Sequence, residues 1–213
     1  MKDQSSCHIC GSVKCAVGEE ENLPVFCPME DSSIYQEAVD IISSDKYNEF
    51  YVASTEIEKE GYCIWPRVRE IMELIKKMKY KKVGLAFCNG FKKEAKILSE
   101  IFLENGIEII SAMCKTGGLD KTEVGMPEEV KLRPGNFEAI CNPVAQALIL
   151  NKEKTEFNIV MGLCVGHDSL FYKYSEALCT TLVVKDRVTG HNPVVALYCK
   201  DGYFKKRLKT EDK

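Results

Sequence analysis

The chain has 213 residues, 45% of them hydrophobic, with 29 lysines and arginines against 32 aspartates and glutamates and a formal net charge of −3. That is enough apolar material for one good core with a small appendage, and the near-balanced charge offers no global attraction to nucleic acid. No run of about 18 apolar residues is present to span a bilayer, and the opening Met1-Lys2-Asp3-Gln4-Ser5-Ser6 lacks the apolar centre of a signal peptide.

A cytoplasmic protein with no membrane and no nucleic-acid partner is therefore predicted. Its eleven cysteines belong in that setting to a reducing compartment. There, clustered thiols point to metal or catalysis more than to disulfides.

Residues 7 to 28 hold Cys7, Cys10, Cys15 and Cys27, separated by two, four and eleven residues, with Pro28 after the last. A two-residue gap lets a tight turn aim two thiolates at one metal, and Gly11 relieves the backbone where amides approach sulfur. Structural zinc usually takes two separated pairs of ligands, whereas a tight trio closed by Cys-Pro suits a cubane iron–sulfur cluster. The segment resembles the small four-cysteine iron–sulfur module of the corrinoid iron–sulfur protein and of some membrane electron-transport subunits. Both a 4Fe-4S cluster and zinc stay open as its cofactor, because thiolate-rich sites accept either. The expected organisation is a metal-binding module over 1–31 and an α/β domain over 32–213.

From Ser32 to about Ser44 the spacing of Ile34, Ala38, Ile41 and Ile42 predicts a helix capped by Ser32 or Ser33, and a second helix follows over 47–59. After the break around Cys63, a cysteine expected to be buried, Pro66 opens a helix with Val68, Ile71, Ile75 and Met78 on one stripe. The lysines from Lys76 to Lys82 are its solvated end. Then come a strand over 82–87, a helix over 92–105 stopped by Gly106, and a strand over 107–113. That alternation predicts a doubly wound, mainly parallel sheet of about four to five strands flanked by helices. Residues 115–136, with Lys115, Gly117 and Gly118, form a long excursion of the kind that is functional or mobile.

Four apolar segments end in cysteine: at Cys88, at Cys114, at Cys141 after 137–140, and at Cys164 after 159–163. Read as neighbouring parallel strands, they bring four thiols to the rim where open α/β sheets gather their chemistry. Asn142-Pro143 and Asn192-Pro193 each start a helix just after a potential ligand, Cys141 and His191. A strand over 181–184 runs into Lys185, Asp186 and Arg187, which place charges on the same rim. Lys115, Lys185 and Arg187 are candidate binding residues for a cofactor or small substrate.

The runs at 162–171 and 185–194, Cys141-Asn142-Pro143, Phe87-Cys88 and the four amino-terminal cysteines together resemble an uncharacterised prokaryotic family of predicted metal-binding proteins. The resemblance implies metal binding and no particular reaction.

Two readings of the rim follow. In the first, Cys88, Cys114, Cys141 and Cys164 form a second metal or iron–sulfur site with His167 or His191 nearby, suited to redox or sulfur chemistry on a small molecule and to a redox partner protein. In the second, Gly162-Leu163-Cys164-Val165-Gly166 is a nucleophile elbow with cysteine in place of serine. His191 would then act as base and Asp186 would orient it, as a hydrolase or amidotransferase requires. A zinc-stabilised module that binds a small ligand is the third class.

Overall fold

A computed structural model describes residues 4–210, so the first three residues of the expected amino-terminal module and the last three of the α/β domain lie outside it. The chain divides into two compact units, Met1–Glu60 and Gly61–Lys213.

In the first unit the cysteine-rich stretch forms short 3-10 turns at Cys7–Ile9, Lys14–Ala16 and Pro28–Glu30. Two helices follow, α1 (Ser32–Ile42) and α2 (Asn48–Gly61), whose last residue belongs to the next unit. The cap of α1 is Asp31 rather than Ser32 or Ser33, because its carboxylate accepts the Ser33 amide at 3.1 Å.

The second unit carries α3 (Arg67–Lys77), β1 (Val83–Phe87), α4 (Lys92–Glu104), β2 (Ile109–Met113), α5 (Pro143–Lys152), β3 (Phe157–Met161), α6 (His167–Tyr174), β4 (Leu178–Val183) and α7 (Val194–Tyr198). The four strands form one parallel sheet in the order β2-β1-β3-β4. The fold is the expected doubly wound α/β arrangement. The direction in which successive strands are added to the sheet reverses between β1 and β3, the switch point at which such sheets open a crevice beyond their carboxyl ends. With right-handed crossovers α4 covers one face while α5 and α6 cover the other, and α5 packs against α6 and against β1 and β2.

β1 and β3 are central, so both their faces are buried and they read as unbroken apolar runs. Two departures from apolarity are structural. Asn158, fully buried in β3, accepts the Thr155 hydroxyl at 2.8 Å and donates to the Ser175 hydroxyl at 2.8 Å. Its partner across the ladder is Gly84, where any Cβ would fall 1.9 Å from the Asn158 Oδ1 and 2.9 Å from Leu150. The glycine makes room for the polar network at the sheet centre.

The segment 137–141 is not a strand of the sheet. Its ladder contact is one antiparallel bridge, Asp120 to Ala139, because the 115–141 excursion folds on itself. Asp120 caps a turn in a reciprocal box with Glu123 and accepts the Glu138 amide at 2.7 Å. The buried Lys131 ammonium sits 2.7 Å from Asp120 and 2.8 Å from Glu128, and also donates to the Asn136 carbonyl. The long loop is thus a pinned wall, with its charges paired where water is scarce. Cys63, expected to be buried, is exposed and stands at φ 55°.

Gly84→Ala is expected to cost about 3 kcal/mol through overpacking and to lower the melting temperature by about 6–12 °C, read by thermal denaturation. Lys131→Met should leave the sheet folded yet open residues 115–141 to proteolysis. The Lys131 ammonium holds the Asp120 carboxyl below the ordinary carboxylate range, so this contribution is complete at neutral pH and is lost as pH falls below about 4. Acid should therefore reproduce the proteolysis of the variant in the native protein.

Candidate functional site

The rim is built by register. β1 and β2 pair with Phe87 opposite Met113, so the next residues, Cys88 and Cys114, emerge side by side. The Cys114 amide donates to the Phe87 carbonyl at 2.9 Å and the Cys88 amide to the Met161 carbonyl at 3.1 Å, which extends the ladder to the thiols. Cys141 arrives differently. The Asn142 amide donates to the Cys114 carbonyl at 2.7 Å while its side chain caps Ala145 at 2.9 Å. One residue thus starts α5 and fastens Cys141 beside Cys114. Cys164 lies on the turn between β3 and α6, where its carbonyl accepts the amides of His167 and Asp168. Gly162 at φ +62° and Gly166 at φ +82° make that turn.

Four thiols and one imidazole consequently meet. Cys114 lies close enough to Cys88 and Cys141 to perturb both thiols, and the ligand atoms of Cys141, Cys164 and His167 all lie within 4.8 Å of one another. Cys88, Cys114, Cys141, Cys164 and His167 line one tight hollow with Leu163 and Gln146. Gln146 was missed by sequence reasoning, since a mid-helix glutamine carries no signal. It is fully buried and donates to the carbonyls of Ala112 at 2.6 Å and Phe87 at 3.2 Å, clasping the ends of β2 and β1. The Gln146 Oε1 and the His167 Nδ1 are buried without a hydrogen-bond partner. Unpartnered acceptors beside thiols call for a bound cation or proton donor.

Cations surround the sulfurs. Lys185 donates to Cys88 and, at 3.6 Å, to Cys164; Arg187 Nη2 donates to Cys164 at 3.5 Å. A register shift between Val160 and Met161 displaces the end of β4, and such an irregularity redirects the residues that follow it. Lys115 donates to the Ala139 carbonyl and brings its positive charge near Cys141. The amides of Asn89 and Gly90 add contacts of 3.2 Å to Cys114 and 3.4 Å to Cys88.

The Cys114 thiol, followed by Lys185 and the Gly90 amide, brings Cys88 down to about 4 against the opposing cost of burial. Cys141 falls to about 5 through Cys114, Lys115 and His167. Cys141, then Cys88 and burial, push the Cys114 thiol far up, so it is the one that keeps its proton. The metal-free rim therefore sets two acidic thiols beside one that stays protonated.

His191 and Asp186 do not form the relay that the elbow reading requires. The His191 Nδ1 accepts the Asp186 backbone amide at 3.1 Å, which puts the neutral ring's proton on Nε2 and leaves no lone pair to accept one from Cys164. The Asp186 carboxylate accepts the amides of Val188 and Thr189 instead. The ring of His191 lies 4.6 Å from that of Phe91, which in turn packs on Gly162, where a Cβ would fall 2.1 Å from it.

In the first unit Cys7, Cys10, Cys15 and Cys27 line one cavity of about 700 Å³ with Val13, Phe26, Pro28 and Tyr35. Among the described residues, the group of three ligands within 4.8 Å of one another is at the rim; the amino-terminal thiols stand around a hollow. The Ser12 hydroxyl, with the amides of Val13 and Ser12, draws the Cys10 thiol below its ordinary range, and the Ser12 Oγ lies 3.4 Å from its sulfur.

The protein is thus a cysteine-rich parallel α/β protein with a possible metal site at the carboxyl edge of its sheet. Residues 27–182 match the family described as "Protein of unknown function (DUF1847)", and the chain belongs to that family. It is also similar to "Uncharacterized protein MJ0455" of Methanocaldococcus jannaschii, at 40% identity over 202 residues that cover 95% of this chain and 97% of that protein. No helix among the described residues is long and apolar enough to cross a membrane.

Metal-free, reduced protein is expected to keep its far-ultraviolet thiolate absorption far below the ordinary thiol range and to lose it as pH falls through about 5 and about 4. Because both values are depressed, these thiolates stabilise the fold above the ordinary thiol range, and that contribution is lost as pH falls through the same interval. Lys185→Met should move the lower step upward; an unchanged titration would remove the lysine from the account.

Proposed function

We propose that the protein is a metalloprotein with two unlike centres that serves redox or sulfur chemistry on a small molecule. The observation that carries this reading is the meeting of Cys88, Cys114, Cys141, Cys164 and His167 from separate segments. A single ion about 2.3 Å from each sulfur sets tetrahedral ligands about 3.8 Å apart, which matches the close rim group. A cubane binds each thiolate through a different iron and spreads its ligands further, which matches the amino-terminal hollow with its directed amides and Cys27-Pro28. A 4Fe-4S cluster on Cys7, Cys10, Cys15 and Cys27, and one zinc or iron at the rim, is the assignment.

An ion at the rim would supply Lewis acidity or a redox couple. The chain's own residues hold the Cys88 and Cys141 thiolates charged through Lys185, Lys115 and the Gly90 amide, and keep the space between the sulfurs closed. Arg187 beside Cys164 can hold a negative group in place. A protein partner that exchanges electrons with the amino-terminal centre belongs to the same reading, as does a cytoplasmic location.

A second reading is favoured by the Gly162–Gly166 turn: Cys164 as a nucleophile without metal, its thiolate held by Lys185 and Arg187 rather than generated by His191 and Asp186.

Anaerobically purified protein is expected to contain roughly four iron and four sulfide, with one further zinc or iron, per chain. Cys10→Ser or Cys15→Ser should lose sulfide and colour while keeping the single ion, and Cys114→Ser or Cys141→Ser should do the reverse. Protein without bound metal after such a preparation overturns both centres. If turnover then depends on Cys164 alone, the nucleophile reading takes their place.

A further inference from the structure

A second cavity, of about 700 Å³, opens above the rim thiols, within the range of small-molecule sites. Its floor includes Cys88, Cys141, Cys164 and His167. Four of its lining residues are cationic: Lys115, Lys121, Lys185 and Arg187. Glu138 is the acidic one, and it is consumed by an ion pair with Lys121 and by the amides of Leu132 and Arg133. A divalent ion on four thiolates leaves two negative charges, so the lining stays positive by one charge even with Glu138 counted. Of the five donors a guanidinium offers, Arg187 uses Nη2 on Cys164.

The facing wall is apolar and comes from the 115–141 excursion: Met126, Val130, Leu132 and Ile140. Leu132 is 89% exposed, Val130 50% and Met126 39%. Apolar side chains left open inside a concave cavity are ones that a ligand can cover with gain. The wall is held in place by the Lys131 ion pairs described above, so it is present before any ligand arrives.

We infer that this cavity binds a small organic anion, a carboxylate or phosphate head on an apolar chain, with the head against Lys121 and Arg187 and the chain against Met126, Val130 and Leu132. This deepens the proposed function by naming the substrate class of the rim centre, and it rests on that reading for the chemistry that follows binding. The concave shape and a volume of about 700 Å³ favour a small molecule over a protein surface.

The test uses anaerobically purified full-length protein and ligand-observed NMR with hexanoate, hexyl phosphate, hexan-1-ol and hexylammonium at equal ionic strength. Hexanoate or hexyl phosphate should bind, the tighter of the two identifying the head, with the alcohol weaker by about tenfold and the ammonium weaker still. Lys121→Gln should weaken the preferred anion by about tenfold while metal content stays unchanged, since Lys121 touches none of the thiols. Leu132→Asp should weaken it as well, and Lys76→Gln should leave it alone. Equal binding of alcohol and anion, preference for the ammonium, an unaltered affinity in Lys121→Gln, or no binding by either anion overturns the inference. Any of these results with metal in place leaves the metal reading standing, and anion binding to protein that carries no metal would sink that reading while sparing this one.

Discussion

Parallel pairing of β1 with β2, with Phe87 opposite Met113, is the constraint on which the rest of this molecule depends. A ladder slipped by two residues would keep the same faces buried and still separate Cys88 from Cys114 by about 7 Å along the strand. The register is held where it matters. Gln146 bridges the carbonyls of Phe87 and Ala112, and on the other side of β1 Gly84 faces Asn158 and makes room for it, which favours this register against β3. Asn142 then takes its place from the Cys114 carbonyl, so Cys141 and the start of α5 inherit the same register.

Gathering thiols in a low-dielectric crevice raises an electrostatic problem, and the molecule answers it with charge. Left alone, neighbouring thiolates would repel and burial would return their protons. Here Cys114 keeps its proton, so the crevice holds fewer charges than thiols, while Lys185 and Lys115 offset the two outer thiolates. The cost of burying Lys131 is met in the same way, by Asp120 and Glu128. The rim and its wall are thus two pieces of charge neutralisation, one at the thiols and the other holding the shape of the 115–141 excursion.

The two cysteine sets differ in what they ask of a ligand. The amino-terminal four surround a hollow and have little regular structure beneath them, so a bound group would supply cohesion that side chains do not. The rim set is placed by a sheet that stands without it, and its thiols already touch. A centre that is needed for folding and a centre that is held ready for chemistry are different physical objects. Membership in a family of unknown function, and 40% identity to the Methanocaldococcus jannaschii protein, are compatible with either use.

Much of the architecture was legible in the sequence, because its signals are local. Periodicity marked α3 and α4, the apolar runs marked β1 and β3, and Asn142-Pro143 marked the start of α5. The strand–helix alternation then implied a parallel sheet whose carboxyl edge collects Cys88, Cys114 and Cys164. Residues 137–141 were misread because a short apolar run carries no record of its partners, and only the folded excursion shows that Asp120 claims this segment. Lys185 and Arg187 were legible as rim charges, but which sulfur each reaches was not, and Gln146 gave no signal at all. Where a long side chain ends is decided by a bulge, a crossover or a helix packed many residues away. What the sequence determined by itself was which residues could ionise, cap or alternate. The tertiary structure alone decided which of them meet, because hydrogen bonds and charge pairs act over a few ångströms of space, whatever the distance along the chain.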